Sequence, residues 1–481
     1  MLFLKGSWAP NRGPARVRAA AILLATVPPL AGGAGGTPAA PAAAAPSAED
    51  EPCARLDGLR VPGAEHRQAA CLTDLTTAGT VASGHTVPAD WAGLHAAGTV
   101  NPSGVPGIQI DGYFPDSSTT NANHGWNHDA QFVMRLPDNW NGGLIITGSP
   151  GVRRQYANDF TIGDYVLSKG FAFASTDKGN TGAAFYTDGV RPGDALVEWN
   201  WRVTQLALAA KAVARERYGS SPRHTYVTGI SNGGYLARWQ AEHFPGLYDG
   251  AVDWEGTLWT EDGPNLFTFL PPTLAAYPKW AAGDAAAGAA ILDAGFADGS
   301  QALWPFHYQV YWDLTQRIYR EEFDPGYDGD ALAGTPFCAA GSGQVGTPSA
   351  CDADYDYAAR PAEVHRAVGR VSLTGRIGVP MITLHGTLDS LLPISRTSDP
   401  YAQMVAAGGR ADEFRYYRVA GGNHVDGLYT ALPSVARPIL PCYRAAFDAM
   451  VAWVEQGRPP APSATLPRPA TGDEVNSCAL G

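Results

Sequence analysis

An α/β fold built on a mostly parallel sheet is what this sequence predicts, and three observations carry that prediction. Short β-rich runs alternate with helical apolar stripes through residues 131–254, and a parallel sheet covered on both faces produces that alternation. A serine sits at the centre of Gly229-Ile230-Ser231-Asn232-Gly233, between a run that favours an extended chain and one that favours a helix. Far downstream an aspartate and then a histidine each follow an apolar strand on a loop, which gives the chain order Ser, Asp, His.

The elements follow in order. Residues 51–130 read as a first disulfide loop and edge strands, and Gln-Phe-Val-Met-Arg-Leu-Pro at 131–137 leads through Trp140-Asn-Gly-Gly into a strand at 144–147. Phe-Ala-Phe-Ala-Ser at 171–175 is a buried strand. Val203, Leu206, Ala210 and Val213 then form the apolar stripe of a helix, which is core rather than site. His-Thr-Tyr-Val-Thr at 224–228 is the strand before Ser231, and Tyr235 to His243 the helix after it. The strand at 379–384 runs into a turn that presents Asp389. A strand at 414–419 precedes the glycine-rich loop Gly421-Gly-Asn-His424-Val-Asp-Gly427, and the chain closes on a helix from Tyr443 to Trp453.

These residue types suit one chemistry. A serine hydroxyl is a poor nucleophile at neutral pH unless a base with a pKa near 7 lies within hydrogen-bond reach, and His424 is the candidate base. Asp389 would fix the imidazole tautomer and stabilise the imidazolium; Asp399 and Asp426 are its rivals. Among other histidines, His385 lies inside a strand-turn apolar run and should pack, His243 falls in a helix, and His124 and His128 precede the core strands. The oxyanion needs fixed N–H donors. The backbone of Asn232 offers one, and the loop Gly148-Ser149-Pro150-Gly151 offers another from Ser149 or Gly151, because Pro150 has no N–H. The expectation is thus an α/β-hydrolase fold, with Ser231, Asp389 and His424 catalytic and Trp254 as a substrate contact.

The chain has 481 residues, more than a minimal hydrolase core needs, so residues 255–370 are expected to form a lid insertion between core segments 51–254 and 371–481. That segment is aromatic, with Trp259, Trp280, Trp304, Phe306, Tyr308, Tyr311, Trp312 and Tyr319. Most should form its own core and some should line the cleft. Asp324, Asp328 and Asp330 cluster with glycines in a way that suits either Ca²⁺ or, more commonly, an exposed turn; no metal and no cofactor is predicted.

Composition of 45% hydrophobic and 17% charged residues is globular. A net charge of −12, without clustered Lys and Arg, argues against nucleic acid as partner. Residues 1–31 combine Lys5, Arg12, Arg16 and Arg18 with a short apolar stretch, and 32–50 are rich in Ala, Pro and Gly. They read as a secretory signal and a linker, with no membrane association after cleavage and an extracellular protein as the product. Six cysteines fall into local pairs, 53 with 71, 338 with 351 and 442 with 478, as export would favour.

Several stretches resemble the extracellular tannase, feruloyl esterase and 3-hydroxybutyrate oligomer hydrolase group: Trp140-Asn-Gly, Ala174-Ser-Thr-Asp-Lys-Gly179, Ser231-Asn-Gly-Gly, and the run from His385-Gly-Thr-Leu-Asp-Ser-Leu-Leu-Pro to Pro400-Tyr401. The last run and the closing helix resemble the oligomer hydrolases most. The resemblance covers roughly 131–254 and 376–462 and implies a Ser-Asp-His triad on Ser231, Asp389 and His424. Tannases and feruloyl esterases of the group carry a cysteine before the serine and another after the histidine, where this chain has Ile230 and Val425. That departure moves the expectation from aromatic esters toward hydroxyalkanoate oligoesters, and the short tail after Trp453 favours small esters over a polymer surface. A serine peptidase and a non-catalytic binding protein remain the other classes.

Overall fold

The computed structural model describes residues 56–327 and 351–480. Ten strands form one sheet: β1 (His66–Leu72), β2 (Gly107–Tyr113), β3 (Gln131–Pro137), β4 (Gly143–Gly148), β5 (Ala172–Thr176), β6 (His224–Ile230), β7 (Gly250–Trp254), β8 (Met381–Gly386), β9 (Phe414–Val419) and β10 (Ala464–Leu466). Their order is β1-β2-β3-β5-β4-β6-β7-β8-β9-β10. The pairs β1/β2, β2/β3 and β3/β5 are antiparallel, and every pair from β5/β4 to β9/β10 is parallel.

The apolar runs of the central strands bury both faces, as period-two side chains in a covered parallel sheet must. In β4, Leu144 and Ile146 pack with Val203, Leu206 and Leu236, whereas Ile145 packs with Val166, Phe447 and Met450. The first face is covered by the helices Asp194–Tyr218 and Asn232–His243, the second chiefly by Leu440–Gln456. The stripe of Val203, Leu206, Ala210 and Val213 is buried, as its spacing requires. The expected mostly parallel sheet flanked by helices is therefore present. The loops at the carboxyl ends of β4, β6, β8 and β9 carry the polar groups described below, which is where ligands meet an open α/β sheet.

Between β7 and β8 the described chain is helical: Leu270–Ala281, Ala285–Asp293, Asp313–Phe323 and Ala362–Gly369 are its longer helices. Its aromatics mostly bury one another; Trp259, Trp304 and Trp312 are fully buried. Cys442 and Cys478 form a disulfide. The other two expected pairs each include a residue outside the described set, as do the leader and linker. No helix among the described residues is long and apolar enough to cross a membrane.

Candidate active site

The strand β6 ends at Ile230, and the helix Asn232–His243 begins immediately after Ser231, so the chain must reverse within one residue. Ser231 does this at φ 58° and ψ −118°, a region that costs a non-glycine residue about 1–3 kcal/mol. The glycines make the turn possible: a Cβ on Gly229 would lie 2.4 Å from the Gly233 backbone, and one on Gly233 would lie 2.5 Å from the Gly148 carbonyl oxygen. Ser231 N–H donates to the Trp254 carbonyl at 2.9 Å, which pins the turn to the end of β7.

His424, from the loop after β9, places Nε2 2.9 Å from Ser231 Oγ, and its Nδ1 lies 2.8 Å from Asp389 Oδ2. All three residues are buried. Asp389 is held by more than the histidine: its Oδ1 accepts from the N–H groups of Leu391 and Leu392, each at 2.8 Å, and His385 Nε2 lies 3.1 Å from Oδ2. Burial opposes ionisation of Asp389, but His424, His385 and these hydrogen bonds outweigh it and hold the carboxyl well below the usual carboxylate range. The carboxylate is therefore charged where an imidazolium would need it.

Two of these supports were not read from sequence. His385 packs inside the fold as expected, yet it also joins a polar chain. Arg238 Nη2 donates to Ser398 Oγ at 2.6 Å, Ser398 Oγ lies 2.7 Å from His385 Nδ1, and this leaves the His385 proton on Nε2, facing Asp389. Arg238 is itself paired with Asp253 at 2.6 Å, both fully buried. Glu255 is the second support. It adopts φ 54°, accepts from Gly386 N–H at 2.8 Å and Trp254 Nε1–H at 3.1 Å, and lies 3.8 Å from His424 Nδ1. Burial, then the Asp389 charge, pushes its carboxyl well above the usual range, so it stays neutral beside Asp389. Donor atoms of Glu255, His385 and Asp389 lie within 4.8 Å of one another, but each is committed to the hydrogen bonds just given, which leaves them poor metal ligands.

The expected oxyanion donors divide. Asn232 begins its helix, where N–H groups lack intrahelical acceptors and the helix dipole favours negative charge. Its side chain is clamped, donating to Gly151 C=O at 3.1 Å and to Tyr319 Oη at 2.5 Å and accepting from Thr257 Oγ1 at 3.0 Å. Ser149 does not serve as expected: its N–H donates to Thr176 C=O at 3.0 Å, because β4 and β5 are neighbours and the ladder continues one residue past the strand. Gly151, at φ 53°, lines the cleft and has no hydrogen-bond partner for its N–H among the described residues. The loop is held by Lys178, whose Nζ donates to Ser149 Oγ at 2.5 Å while that hydroxyl donates to Arg153 C=O at 2.7 Å.

Ser231, Asn232, His424 and Gly151 open on a cavity of about 170 Å³. A cavity of about 150 Å³ holds a benzene-sized molecule, so this one suits a short acyl or alcohol group. The helical segment between β7 and β8 contributes Tyr311, Ile318 and Tyr319 to its walls. Ile230 and Val425 also line it. Trp254 does not: the expectation of a substrate contact is corrected. Alternation along β7 turns its ring to the face of helix Leu440–Gln456, where it is fully buried and stacks on Tyr443 with centroids 5.6 Å apart. The calcium question falls partly outside the described residues, with Asp328 and Asp330. Asp324 is engaged by Arg360 Nε at 2.6 Å and Tyr355 Oη at 3.1 Å.

Comparison with known proteins agrees with this architecture. The tannase and feruloyl esterase family model matches residues 118–256, which include Ser231, and the 3HB-oligomer hydrolase model matches 340–480, which include Asp389 and His424. In these two separate stretches the chain is similar to the tannase, feruloyl esterase and 3-hydroxybutyrate oligomer hydrolase group. A D-(-)-3-hydroxybutyrate oligomer hydrolase of Cupriavidus metallidurans is 32% identical over 101 residues, 20% of this chain and 14% of that protein. A probable feruloyl esterase of Arthroderma benhamiae is 30% identical over 147 residues, 28% of this chain and 27% of that one. The matched stretches thus span less than a third of either relative. The crystal structure of feruloyl esterase B from Aspergillus oryzae superposes with a TM-score of 0.50 at 16% identity, covering 86% of this chain and 92% of that one; the likeness establishes the α/β-hydrolase fold.

Proposed function

We propose that this protein is a serine carboxylic-ester hydrolase that works through an acyl-enzyme, with short hydroxyalkanoate oligoesters of the 3-hydroxybutyrate type as its first-choice substrates. The observation that carries the reading is the unbroken chain from Ser231 Oγ through His424 to Asp389, with links of 2.9 and 2.8 Å, at the floor of the cleft. In the reaction, His424 Nε2 takes the Ser231 proton as Oγ attacks the ester carbon, and the Asn232 and Gly151 N–H groups receive the oxyanion. The imidazolium then protonates the departing alcohol, and water, deprotonated by the same imidazole, releases the acid and restores the serine.

The short cavity supports small esters, and Ile230 and Val425 in place of the paired cysteines favour hydroxyalkanoate over aromatic acyl groups. Residues 255–370 are read as a lid whose Tyr311 and Tyr319 face the substrate. Export is part of the proposal, supported by the charged-then-apolar leader and by the Cys442–Cys478 disulfide. An aromatic-ester hydrolase of tannase or feruloyl esterase type is the alternative, favoured by the family match over 118–256. Turnover measured across 3-hydroxybutyrate oligomers, gallate and ferulate esters and a peptide panel tests the choice. Oligomers should be cleaved fastest, and activity confined to gallate or ferulate, or release of free amines, would overturn it.

A further inference from the structure

Arginines 153 and 154 are neighbours in sequence and differ in every respect that matters for function. Arg154 is paired: its Nε and Nη2 reach Asp90 Oδ1 at 3.0 and 2.9 Å, and its Nη1 donates to Asn123 Oδ1 at 2.9 Å. Arg153 makes no ion pair among the described residues, and it lines the cleft beside Ser231. Among the described residues that line the cleft, His424, Tyr311 and Tyr319 are the other ionisable ones, and most of the remaining wall is leucine, isoleucine, valine and proline.

The guanidinium is positioned, not loose. Arg153 Nη1 donates to the Asp90 carbonyl at 2.8 Å, and the guanidinium lies within electrostatic reach of the Tyr311 hydroxyl. Its backbone is fixed by Ser149 Oγ and by its own N–H donating to Pro150 C=O at 3.1 Å. Burial lowers its pKa, yet a guanidinium remains charged at any working pH. Asp90 attracts both guanidiniums, but its hydrogen-bonded ion pair is with Arg154, so two cations share one carboxylate. The positive charge left over in an apolar cleft is costly unless an anion joins it, and a planar guanidinium matches a carboxylate. The chain as a whole carries a net charge of −12, which repels anions, so a lone cation at the cleft reverses the local field where a substrate docks.

We infer that Arg153, with the Tyr311 hydroxyl beside it, binds a carboxylate on the substrate, so the enzyme prefers esters that bear a free acid, such as the acid end of a short hydroxy-acid oligomer. This rests on the ester-hydrolase reading above and narrows it to chain-end cleavage. A group that only propped up the segment around Asp90 would affect charged and neutral esters alike.

The experiment separates the two readings by measuring binding without turnover. In the Ser231→Ala protein, calorimetry compares the linear 3-hydroxybutyrate dimer with its methyl ester. The free acid should bind at least about tenfold more tightly, the scale of one charge-assisted hydrogen-bond pair. Adding Arg153→Gln should bring the two ligands within about twofold, and adding Tyr311→Phe, which keeps the charge, should lower the ratio part-way. Equal binding of acid and methyl ester, no binding of either, or a ratio that survives Arg153→Gln would overturn the inference. Hydrolysis of p-nitrophenyl butyrate by the unaltered chain reports separately on the esterase reading, so its absence alongside a persistent acid preference would sink that reading and leave the carboxylate site standing.

Discussion

Replacing Asp389 by asparagine removes one charge and one acceptor from a group that accepts on both oxygens. Oδ1 receives two backbone N–H groups at 2.8 Å and Oδ2 receives His424 at 2.8 Å with His385 at 3.1 Å. An asparagine has one acceptor oxygen, so one side must meet its NH₂ instead. With the NH₂ toward Leu391 and Leu392, two buried donors lose their partner at about 1–3 kcal/mol each. With the NH₂ toward the imidazoles, His424 must accept on Nδ1 and carry its proton on Nε2, facing Ser231, where it cannot act as a base. The second arrangement is the cheaper one, because His385 Nε2–H keeps the Leu392 carbonyl at 2.9 Å when it loses Oδ2, and His424 changes only its tautomer. The expected outcome is a loss of about 10⁴-fold in kcat, or roughly 5.5 kcal/mol, with a near-native fold. Hydrolysis of p-nitrophenyl butyrate, followed together with circular dichroism and a thermal melt, measures it. A loss under tenfold in a folded protein would refute the reasoning.

Two further outcomes follow from the same contacts. Tyr319→Phe removes the hydroxyl that accepts from Asn232 at 2.5 Å, and turnover should fall by up to about tenfold while the melting temperature barely moves; unchanged turnover would mean that Asn232 is held without the insertion. Asp426 accepts from Ile439 and Leu440 N–H at 2.7 and 2.9 Å, but burial outweighs these and raises its pKa from 3.8 to about 7. Because the folded value lies above the unfolded one, the stability it contributes is complete below pH 3.8 and is lost as pH rises toward 7, with a slope of at most about 1.4 kcal/mol per pH unit. Urea unfolding midpoints between those limits should fall less steeply in Asp426→Asn, and an identical slope would contradict the assignment.

How much of this was legible in the sequence depends on whether a residue's role is set locally or across the sheet. Ser231, Asp389 and His424 each sit on a backbone feature with a local signature: a glycine-flanked reversal, a turn after an apolar strand, a glycine-rich loop. The donor role of Ser149 fails because its N–H partner, Thr176, comes from a neighbouring strand whose adjacency no local pattern gives. Trp254 was misjudged although the signal existed: Val252 and Trp254 share a face by period-two alternation, and that face packs on the closing helix. The segment between β7 and β8 hides its contribution in composition. Of its eight notable aromatics, only Tyr311 and Tyr319 line the cleft, because Trp259, Trp280, Trp304, Tyr308 and Trp312 pack in or against the core and Phe306 lies partly exposed beside Tyr311. Glu255 has no sequence signal and His385 reads only as packing, because a buried carboxyl and a buried imidazole show no role until Asp389 is placed between them.

The central claim is that Ser231 alone is activated as the nucleophile. Labelling the protein with a fluorophosphonate and mapping the adduct by peptide mass spectrometry tests it most directly. The account predicts a single modified peptide with the label on Ser231, loss of p-nitrophenyl butyrate hydrolysis in step with labelling, and neither label nor activity in Ser231→Ala. A label on another serine, or hydrolysis that persists in Ser231→Ala, would contradict it.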